Sequence, residues 1–351
     1  MRNTLLLLLA AVAALLIGCT DNQSPEPTFR YAWVVGDSDS VACGAIYHTS
    51  DGGATFTRQG VGQGALERVN VLDVKALDRN TVWASCSKNR VIKTTDGGST
   101  WNVVPMPSND PSCELYCIST VGSSTMYISG SHGTVYISND AGTTWRKSQV
   151  PGLEEAQFQG VLALSAQRAY ICGNAPTAGD ERIGVVRQTT DGGTTWNVVA
   201  FPNGYDSTNT WISGASFGNS IMIYGDKNHY SLSTNNGATW RNDSTRIFGG
   251  GGGADINHLI MLSEGTWMAA MDMGHLIRTD NAGTDWNDVR PGLGVVFMLG
   301  IDAFDNTHAI ACGETSNFPQ LGHIVYTADG GSTWTRSLTK SGPFRKVSAV
   351  R

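Results

Sequence analysis

Histidines and carboxylates are the side chains of this sequence whose placement could support chemistry. Four histidines (His132, His229, His275 and His323) occupy similar places in a repeating pattern, which raises the possibility of a metal site. Equivalent positions on a ring of repeats lie too far apart to share an ion whose bonds to nitrogen are about 2.0–2.1 Å long. We therefore expect polar loop residues, with no metal and no cofactor. A pair of carboxylates across a cavity could hydrolyse a glycoside, but such a pair has no linear signature.

The elements that would have to position such residues come from an internal repeat. The pattern Ser/Thr-x-Asp/Asn-x-Gly-x-x-Trp/Phe, here called the box, occurs seven times at intervals of 44 to 51 residues. Its acidic or amide position is filled by Asp51, Asp96, Asp140, Asp191, Asn235, Asn281 and Asp329. Its closing aromatic is filled by Phe56, Trp101, Trp145, Trp196, Trp240, Trp286 and Trp334. Repeats of this length with four short strand patterns each are typical of propeller blades.

The two ends of the chain predict how the ring closes. Residues 29–36 match the second strand of a repeat, so the first repeat lacks its own first strand, and residues 344–351 match an isolated first strand. A closed ring leaves fewer sheet edges unpaired than an open one. The sequence therefore predicts an all-β, seven-bladed propeller of four-stranded antiparallel blades, in which the C-terminal strand joins the first blade.

We interpret the boxes as structural turns between third and fourth strands. The Asp or Asn side chain can accept hydrogen bonds from backbone N–H groups of the turn, and the aromatic can bury a large apolar area. Two of the seven boxes carry Asn instead of Asp, which keeps the acceptor and removes the charge. A metal-binding role would need that charge.

These boxes resemble the Asp-box, or BNR, repeats of sialidases, sortilin-type receptors, some glycoside hydrolases and the photosystem II assembly and stability factor family. The resemblance covers the whole chain after its leader and is closest to the photosystem II assembly factor-like family. It implies a non-catalytic binding or assembly-scaffold propeller. The alternative is a glycan-active enzyme, a glycosidase or lyase, that uses the mouth of the propeller channel.

One motif tests the enzyme alternative. The resemblance to sialidases implies an arginine in a Phe/Tyr-Arg-Ile-Pro motif near the N-terminus, and residues 29–32 read FRYA, which matches only its first two positions. We therefore interpret Arg30 as an ordinary strand residue and predict no catalytic residue. An enzyme is less favoured than a binding protein.

The N-terminal region reads as a leader. A 13-residue apolar run from Leu5 to Ile17 is too short to span a bilayer but suits a secretory signal. It ends in Leu-Ile-Gly-Cys19, which resembles the lipobox of bacterial lipoproteins, and Thr20 follows where an inner-membrane retention signal would place Asp. We predict a cleaved signal peptide over residues 1–18, a lipidated Cys19 with a polar tether over residues 19–28, and the propeller over residues 29–351. The expected location is the outer membrane, on either of its faces.

Charge and cysteines narrow the remaining choices. The formal net charge of −6, from 24 basic and 30 acidic residues, argues against a nucleic-acid partner. The six cysteines after Cys19 include no C-x-x-C pair, and an even number permits disulfides. Cys86–Cys113 is the first choice for a bridge and Cys113–Cys117 the alternative. Cys172 and Cys312 occupy matching positions in distant repeats, which predicts buried thiols that do not pair with each other.

Departures from the repeat mark the candidate binding loops. Insertions between second and third strands occur at residues 37–44, 174–184 and 314–322, and longer connections between blades occur at residues 197–210 and 241–255. Both kinds of loop should project from the face opposite the boxes, where a protein or glycan partner would bind. Our candidate residues there are Asp37, Asp39, Asp180, Glu181, Glu314, Asn317 and Phe318. Since the first and last blades are neighbours in a closed ring, we expect the insertions of these two blades to form one patch.

Overall fold

The computed structural model describes residues 30–38, 43–179, 181–202, 210–247, 253–292, 294–295, 297–316 and 319–350. The predicted leader, with Cys19, lies outside the described residues, as do Asp39, Asp180, Asn317 and Phe318. Within the described part, no helix is long and apolar enough to cross a bilayer.

Seven antiparallel sheets of four strands each form a ring, which confirms the predicted all-β propeller. The first blade contains β1 (Ala32–Gly36), β2 (Ala45–Thr49) and β3 (Thr57–Gln59). The second contains β4 (Val71–Ala76), β5 (Val82–Cys86), β6 (Arg90–Thr94) and β7 (Asn102–Val104), and the third β8 (Leu115–Val121), β9 (Thr125–Gly130), β10 (Val135–Ser138) and β11 (Arg146–Ser148). The fourth contains β12 (Gln157–Ala163), β13 (Ala169–Pro176), β14 (Arg182–Thr189) and β15 (Asn197–Val198).

The remaining blades follow the same order from the channel outwards. The fifth contains β16 (Trp211–Phe217), β17 (Ser220–Gly225), β18 (His229–Ser233) and β19 (Arg241–Ser244). The sixth contains β20 (Ile256–Met261), β21 (Trp267–Met271), β22 (Leu276–Thr279) and β23 (Asn287–Asp288). The seventh contains β24 (Phe297–Ala303), β25 (Ala309–Glu314), β26 (Leu321–Thr327) and β27 (Thr335–Ser341), and the chain ends in β28 (Phe344–Ala349).

The C-terminal strand closes the ring, as predicted. β28 pairs antiparallel with β1, so that Ala32 lies opposite Ala349 and Val34 lies opposite Val347. The first blade therefore has the sheet order β28-β1-β2-β3 and takes its innermost strand from the other end of the chain.

Apolar clusters fill the gaps between neighbouring blades and form the core of the ring. The cluster between the first two blades holds Trp33, Ile46, Val71 and Trp101, all of them buried. The other closing aromatics of the boxes pack against the equivalent clusters with part of their surface exposed. Each aromatic thus packs between its own blade and the preceding one. Its apolar surface is removed from water by contact with both blades, which stabilises the interface between them.

The second strand of several blades carries a glycine where the innermost strand approaches it closely. A Cβ atom placed on Gly173 would lie 1.9 Å from the carbonyl oxygen of Gln157, and one on Gly313 would lie 1.9 Å from that of Phe297. Real Cβ atoms do not approach oxygen so closely, so a side chain there would push the innermost strand towards the channel.

Each box forms the turn between the third and fourth strands. In the second blade, Thr94 Oγ1 donates to Asp96 Oδ1 (2.7 Å) and accepts from Gly98 N (2.9 Å), while Asp96 accepts from Thr100 N (2.9 Å) and Thr100 Oγ1 (2.6 Å). In the fifth blade, Asn235 Oδ1 accepts from Thr239 N (2.9 Å) and its Nδ2 donates to Thr239 Oγ1 (2.8 Å). The amide therefore makes the same turn without the charge.

Substitutions at Asp96 should separate the hydrogen bonds of the box from its charge. The hydrogen bonds from Thr100 and Thr94 lower the pKa of Asp96 to about 2. Because this folded-state pKa lies below the ordinary value, the ionised group stabilises the fold above about pH 4, and the contribution is lost as the pH falls towards 2. Asp96→Ala should lower Tm by a few degrees at pH 7. Asp96→Asn should have a Tm close to that of the natural chain at pH 7. Its Tm should also fall less than that of the natural chain between pH 4 and pH 2, as measured by thermal denaturation followed by circular dichroism. Equal Tm losses for the two variants would contradict this account.

Candidate functional site: the central channel and its two mouths

The innermost strands line a central channel, and each carries a β-bulge near its start. The pairing between first and second strands shifts by one residue in every blade. The residues within these shifts are Leu72, Tyr116, Phe158 with Gln159, Ile212, Asn257, Leu299 and Arg345. Bulges re-aim side chains, and all of these residues except the buried Phe158 line one mouth of the channel.

The next residue of each innermost strand lies at the narrow middle of the channel. These residues are Asp73, Cys117, Gly160, Ser213, His258, Gly300 and Lys346. Four of them, Asp73, Cys117, Ser213 and His258, border the cavities on both sides, so this ring divides the channel in two. The ring has no symmetry in its chemistry, because only one member is a carboxyl and only one is an ammonium.

Lys346 occupies the middle of the channel with its amino group bound to two other blades. Its Nζ donates to the carbonyl oxygens of Asn257 (2.9 Å) and Leu299 (3.2 Å), in the sixth and seventh blades. Burial lowers the pKa of Lys346, and the nearby carboxyl of Asp73 opposes that shift. Burial likewise raises the pKa of Asp73, and the Lys346 ammonium opposes it. A cation from the closing strand thus links three blades around the channel.

The channel carboxylates hold neighbouring blades together. Asp73 Oδ2 accepts from Ile118 N of the next blade (2.9 Å), and Asp302 Oδ2 accepts from Ala349 N (2.9 Å). Ser119 and Ser348 make the same kind of bond to the blades that follow them, at 3.0 and 3.1 Å. These bonds satisfy backbone N–H groups on the free edge of the innermost strands, where no further strand can pair.

The two mouths of the channel differ in shape and chemistry. Innermost strands end on the side of the box turns, here called the box face, and start on the opposite side, here called the loop face. The box-face cavity has a volume of about 460 Å³ and includes Lys75, Leu162, Ile260 and Asp302 in its lining. The loop-face cavity has a volume of about 350 Å³ and is lined by the bulged residues together with Asn70, Glu114 and Gln157.

The loop-face mouth is apolar at three points around the ring. Leu72, Ile212 and Leu299, from the second, fifth and seventh blades, are half-buried and border the cavity. Tyr116 adds an aromatic ring, and burial followed by the neighbouring Glu114 carboxylate raises the pKa of its hydroxyl. Concave sites with apolar walls and a few polar groups are typical ligand sites.

The predicted patch between the first and last blades is present in part. Arg345 forms a bidentate ion pair with Asp37 (Nε–Oδ1 2.5 Å, Nη2–Oδ2 2.6 Å). Burial raises the pKa of Glu314, and the charge of Arg345 opposes that rise. The structure thus places Glu314 near the guanidinium that Asp37 binds, and this guanidinium also lines the channel mouth. Glu181 is exposed on the loop of the fourth blade, away from this pair.

The insertion predicted at residues 174–184 is shorter than expected. Asn174 pairs with Gly184 and Pro176 with Arg182, so β13 and β14 extend into it and the hairpin protrudes. Leu72, Tyr116, Ile212, Leu299 and Arg345 share a place in the structure, one or two residues after the start of an innermost strand. In the sequence they stand 11 to 16 residues after the closing aromatic of the preceding box, so the box spacing does not single them out.

The four histidines do not meet. His229 and His323 lie in third strands, whereas His275 is buried, with its Nδ1 2.9 Å from the acceptor Oδ2 of Asp288. Among the described residues, no group of three or more His, Cys, Asp or Glu side chains is placed to hold a metal ion. Arg30 lies on the box face, where its Nη2 donates to Asp305 Oδ2 at 3.4 Å.

The predicted disulfides were wrong: all six described cysteines are free. Cys86 is buried in the cluster between the first and second blades, whereas Cys113 is buried in the cluster between the second and third, so the two thiols lie on opposite sides of one blade. Cys117 turns towards the channel instead, with Sγ 3.7 Å from the carbonyl oxygen of Val161. Cys172 and Cys312 are buried in separate clusters, as predicted.

Burial should make these thiols inert in the folded protein. It raises the pKa of Cys86 and of Cys312 to about 12, so the thiolate that reacts with electrophiles is scarce at neutral pH. We expect Cys86, Cys172 and Cys312 to resist iodoacetamide at pH 8 for hours, and to react within minutes in denaturant. Peptide mapping by mass spectrometry measures both rates. Rapid labelling of Cys86 in the native protein would contradict the packing described between the first two blades.

The fold and the channel define the chain as a seven-bladed β-propeller with a divided channel. No protein-family model matches the chain, and no curated protein matches it. Among solved structures, the chain is similar to "YCF48 bound to D1 peptide", at 17% identity over 76% of this chain and 82% of that chain, with a TM-score of 0.57. YCF48 from Cyanidioschyzon merolae matches at 15% identity over 91% of this chain and 97% of that chain, with a TM-score of 0.51.

Propellers of other kinds match about as well. The WD40 propeller domain of Doa1 matches at 12% identity over 78% of this chain and 82% of that chain, with a TM-score of 0.54. The GH74 xyloglucanase of Xanthomonas campestris matches at 14% identity over 87% of this chain but 58% of its own length, with a TM-score of 0.50. At these identities the similarity establishes the fold.

Proposed function

We propose that this chain is a non-catalytic Asp-box propeller that is held at the outer membrane by a lipid on Cys19 and binds a protein partner through its loop face. The observation that carries the proposal is the apolar lining of the loop-face mouth by Leu72, Ile212 and Leu299. Half-buried aliphatic side chains that line a concave mouth favour a partner that covers them. YCF48, a structural neighbour, is described as bound to a D1 peptide, which supports peptide recognition by this type of ring.

The place where the chain enters the ring is consistent with partner binding at the loop face. Arg30 N donates to Ser50 O, and Arg30 lies beside Asp51 of the first box, so the described chain begins on the box face. An anchor at Cys19 is 11 residues away, which spans at most about 36–40 Å. A tether that joins the ring on the box face leaves the loop-face mouth open to a partner.

The enzyme alternative stays a prediction without a specific observation in its favour. The channel carboxylates Asp73 and Asp302 both accept hydrogen bonds from backbone N–H groups of a neighbouring blade. A hydrolase would need two carboxyl groups facing its substrate instead. Glycan turnover by the natural chain that is lost in an Asp73→Asn variant with an unchanged Tm would favour the enzyme alternative.

Photo-crosslinking in the native membrane tests the proposal. A benzoylphenylalanine at Leu299 or Met273, both on the loop face, should give the same crosslinked protein, and one at Val103, an exposed residue of an outermost strand, should not. Shortening residues 315–320 to the turn length of the third blade should weaken the crosslink at little cost in Tm, since these residues lie between strands. Crosslinks from Val103 alone would place the partner elsewhere.

The anchor has its own test. Cys19→Ser should release the protein from membranes or leave its leader uncleaved, as seen by fractionation and by mass spectrometry of the N-terminus. Unchanged membrane association, with no lipid on the mature N-terminus, would remove the anchor from the proposal without affecting the loop-face mouth.

A further inference from the structure

We infer that the loop-face mouth binds an uncharged, extended segment of the partner protein, anchored by one aliphatic side chain and held through its backbone. This inference rests on the proposed function and specifies the chemistry that the mouth selects. It depends on three properties of the lining: its aliphatic walls, its free carboxamides, and the internal pairing of its charges.

The aliphatic walls set the kind of anchor. Leu72, Ile212 and Leu299 come from blades spaced around the ring, and their half-buried side chains border one cavity of about 350 Å³. This volume lies at the small end of the range of about 300–1,000 Å³ typical of ligand pockets. It accommodates a single aliphatic side chain with a short stretch of backbone. A sugar would set its hydroxyl groups against these walls, which is costly without hydrogen-bond partners.

Two carboxamides of the fourth blade can hold the backbone of the segment. Gln157 and Gln159 both line the cavity and are half-buried, and neither carboxamide is hydrogen-bonded to another described residue. A carboxamide donates through its nitrogen and accepts through its oxygen. A peptide backbone likewise offers one donor and one acceptor per residue. The two side chains therefore match an extended backbone better than they match a carboxylate or an ammonium.

The charged groups at the mouth already have partners. Arg345 uses its Nε and Nη2 in the bidentate pair with Asp37. The Lys346 ammonium donates to two backbone carbonyl oxygens. Glu114 interacts with the Tyr116 hydroxyl and with the guanidinium of Arg345. A charged ligand group would have to displace one of these partners, so the mouth favours a neutral segment, whose binding depends little on salt.

The experiment uses the full-length protein in detergent and an array of hexapeptides acetylated at the N-terminus and amidated at the C-terminus. Blocked ends remove terminal charges as a cause of binding. The array should select Leu, Ile or Val at one position, with no preference for Asp, Glu, Lys or Arg at its neighbours. The affinity of the best peptide, measured by fluorescence anisotropy, should change less than about twofold between 50 and 500 mM NaCl.

Variants separate the two parts of the site. Leu72→Asp and Ile212→Asp should each weaken the best peptide at least about tenfold, because they put a charge against the anchor. Gln159→Leu should weaken it about three- to tenfold through lost backbone hydrogen bonds. The matched controls are Val103→Asp on an outermost strand and Gln167→Leu on the box face, both exposed positions outside the cavity, and they should have no effect.

The outcomes distinguish this inference from the function on which it rests. Selection of charged peptides, or affinity that falls steeply with salt, would overturn the neutral segment while loop-face crosslinks leave the proposed function standing. Binding that survives both Leu72→Asp and Ile212→Asp would overturn the mouth as the site. Absence of loop-face crosslinks together with absence of any selected peptide would overturn both.

Discussion

A chain that ends at Ser341, and so lacks β28, is expected to lose its cooperative unfolding transition. β28 supplies the innermost strand of the first blade, and its Phe344 and Val347 belong to the core between the last blade and the first. Without it β1 has an unpaired edge, the ring stays open, and the Lys346 ammonium is missing from the channel. Differential scanning calorimetry of the truncated and complete chains measures the loss.

A permuted chain is the control for this truncation. Residues 343–350 fused N-terminal to β1, through a copy of the residues 77–81 that link β4 to β5, would restore the same blade from one end of the chain. The end of β28 lies next to the start of β1, where Ala349 faces Ala32, so a hairpin of that length fits. The permuted protein should regain a single cooperative transition. A truncated chain that unfolds cooperatively near the normal Tm would show that closure contributes little.

Lys346→Met is expected to destabilise the protein by about 2 kcal/mol at pH 8, because it removes the hydrogen bonds from Nζ to two backbone carbonyl oxygens and leaves the Asp73 carboxylate without its nearby cation. Burial already raises the pKa of Asp73, and the Lys346 ammonium opposes that rise. Its removal should raise the pKa further. A carboxyl whose folded-state pKa lies above its unfolded value is destabilising when ionised, so the loss should shrink as the pH falls from 8 to 5.

Urea unfolding of four proteins tests this account: the natural chain, Lys346→Met, Asp73→Asn and the double variant. The double variant should recover part of the stability lost in Lys346→Met, because the substituted carboxamide carries no charge and its oxygen can still accept from Ile118 N. Losses that add without coupling, or a loss from Lys346→Met that is the same at pH 5 and pH 8, would contradict the electrostatic link between the two side chains.

Sequence patterns predicted the ring better than the site because the ring depends on local, repeated chemistry. The residues of each box make the hydrogen bonds of their own turn, so the motif alone predicts it. The unmatched strands at residues 29–36 and 344–351 predicted the closure. The bulges at Leu72, Ile212 and Arg345 could not be predicted in the same way, since a one-residue shift between paired strands leaves no mark in either strand alone. The disulfide prediction failed for a related reason: placing Cys86 and Cys113 near the same face of the ring did not reveal that the two thiols turn towards different neighbouring blades.

Joining both chain ends in the first blade has a consequence for synthesis. A ribosome makes β1 long before β28, so Trp33 of β1 can pair with Ser348 of β28 only after the intervening blades have been synthesised. Contacts this distant in sequence slow folding, and an incomplete chain carries bare strand edges that invite aggregation. A chain that stops before β28 leaves the inner edge of β1 unpaired, whereas in the chain that includes β28 this edge is paired. The ring therefore closes only once β28 is available to pair with β1.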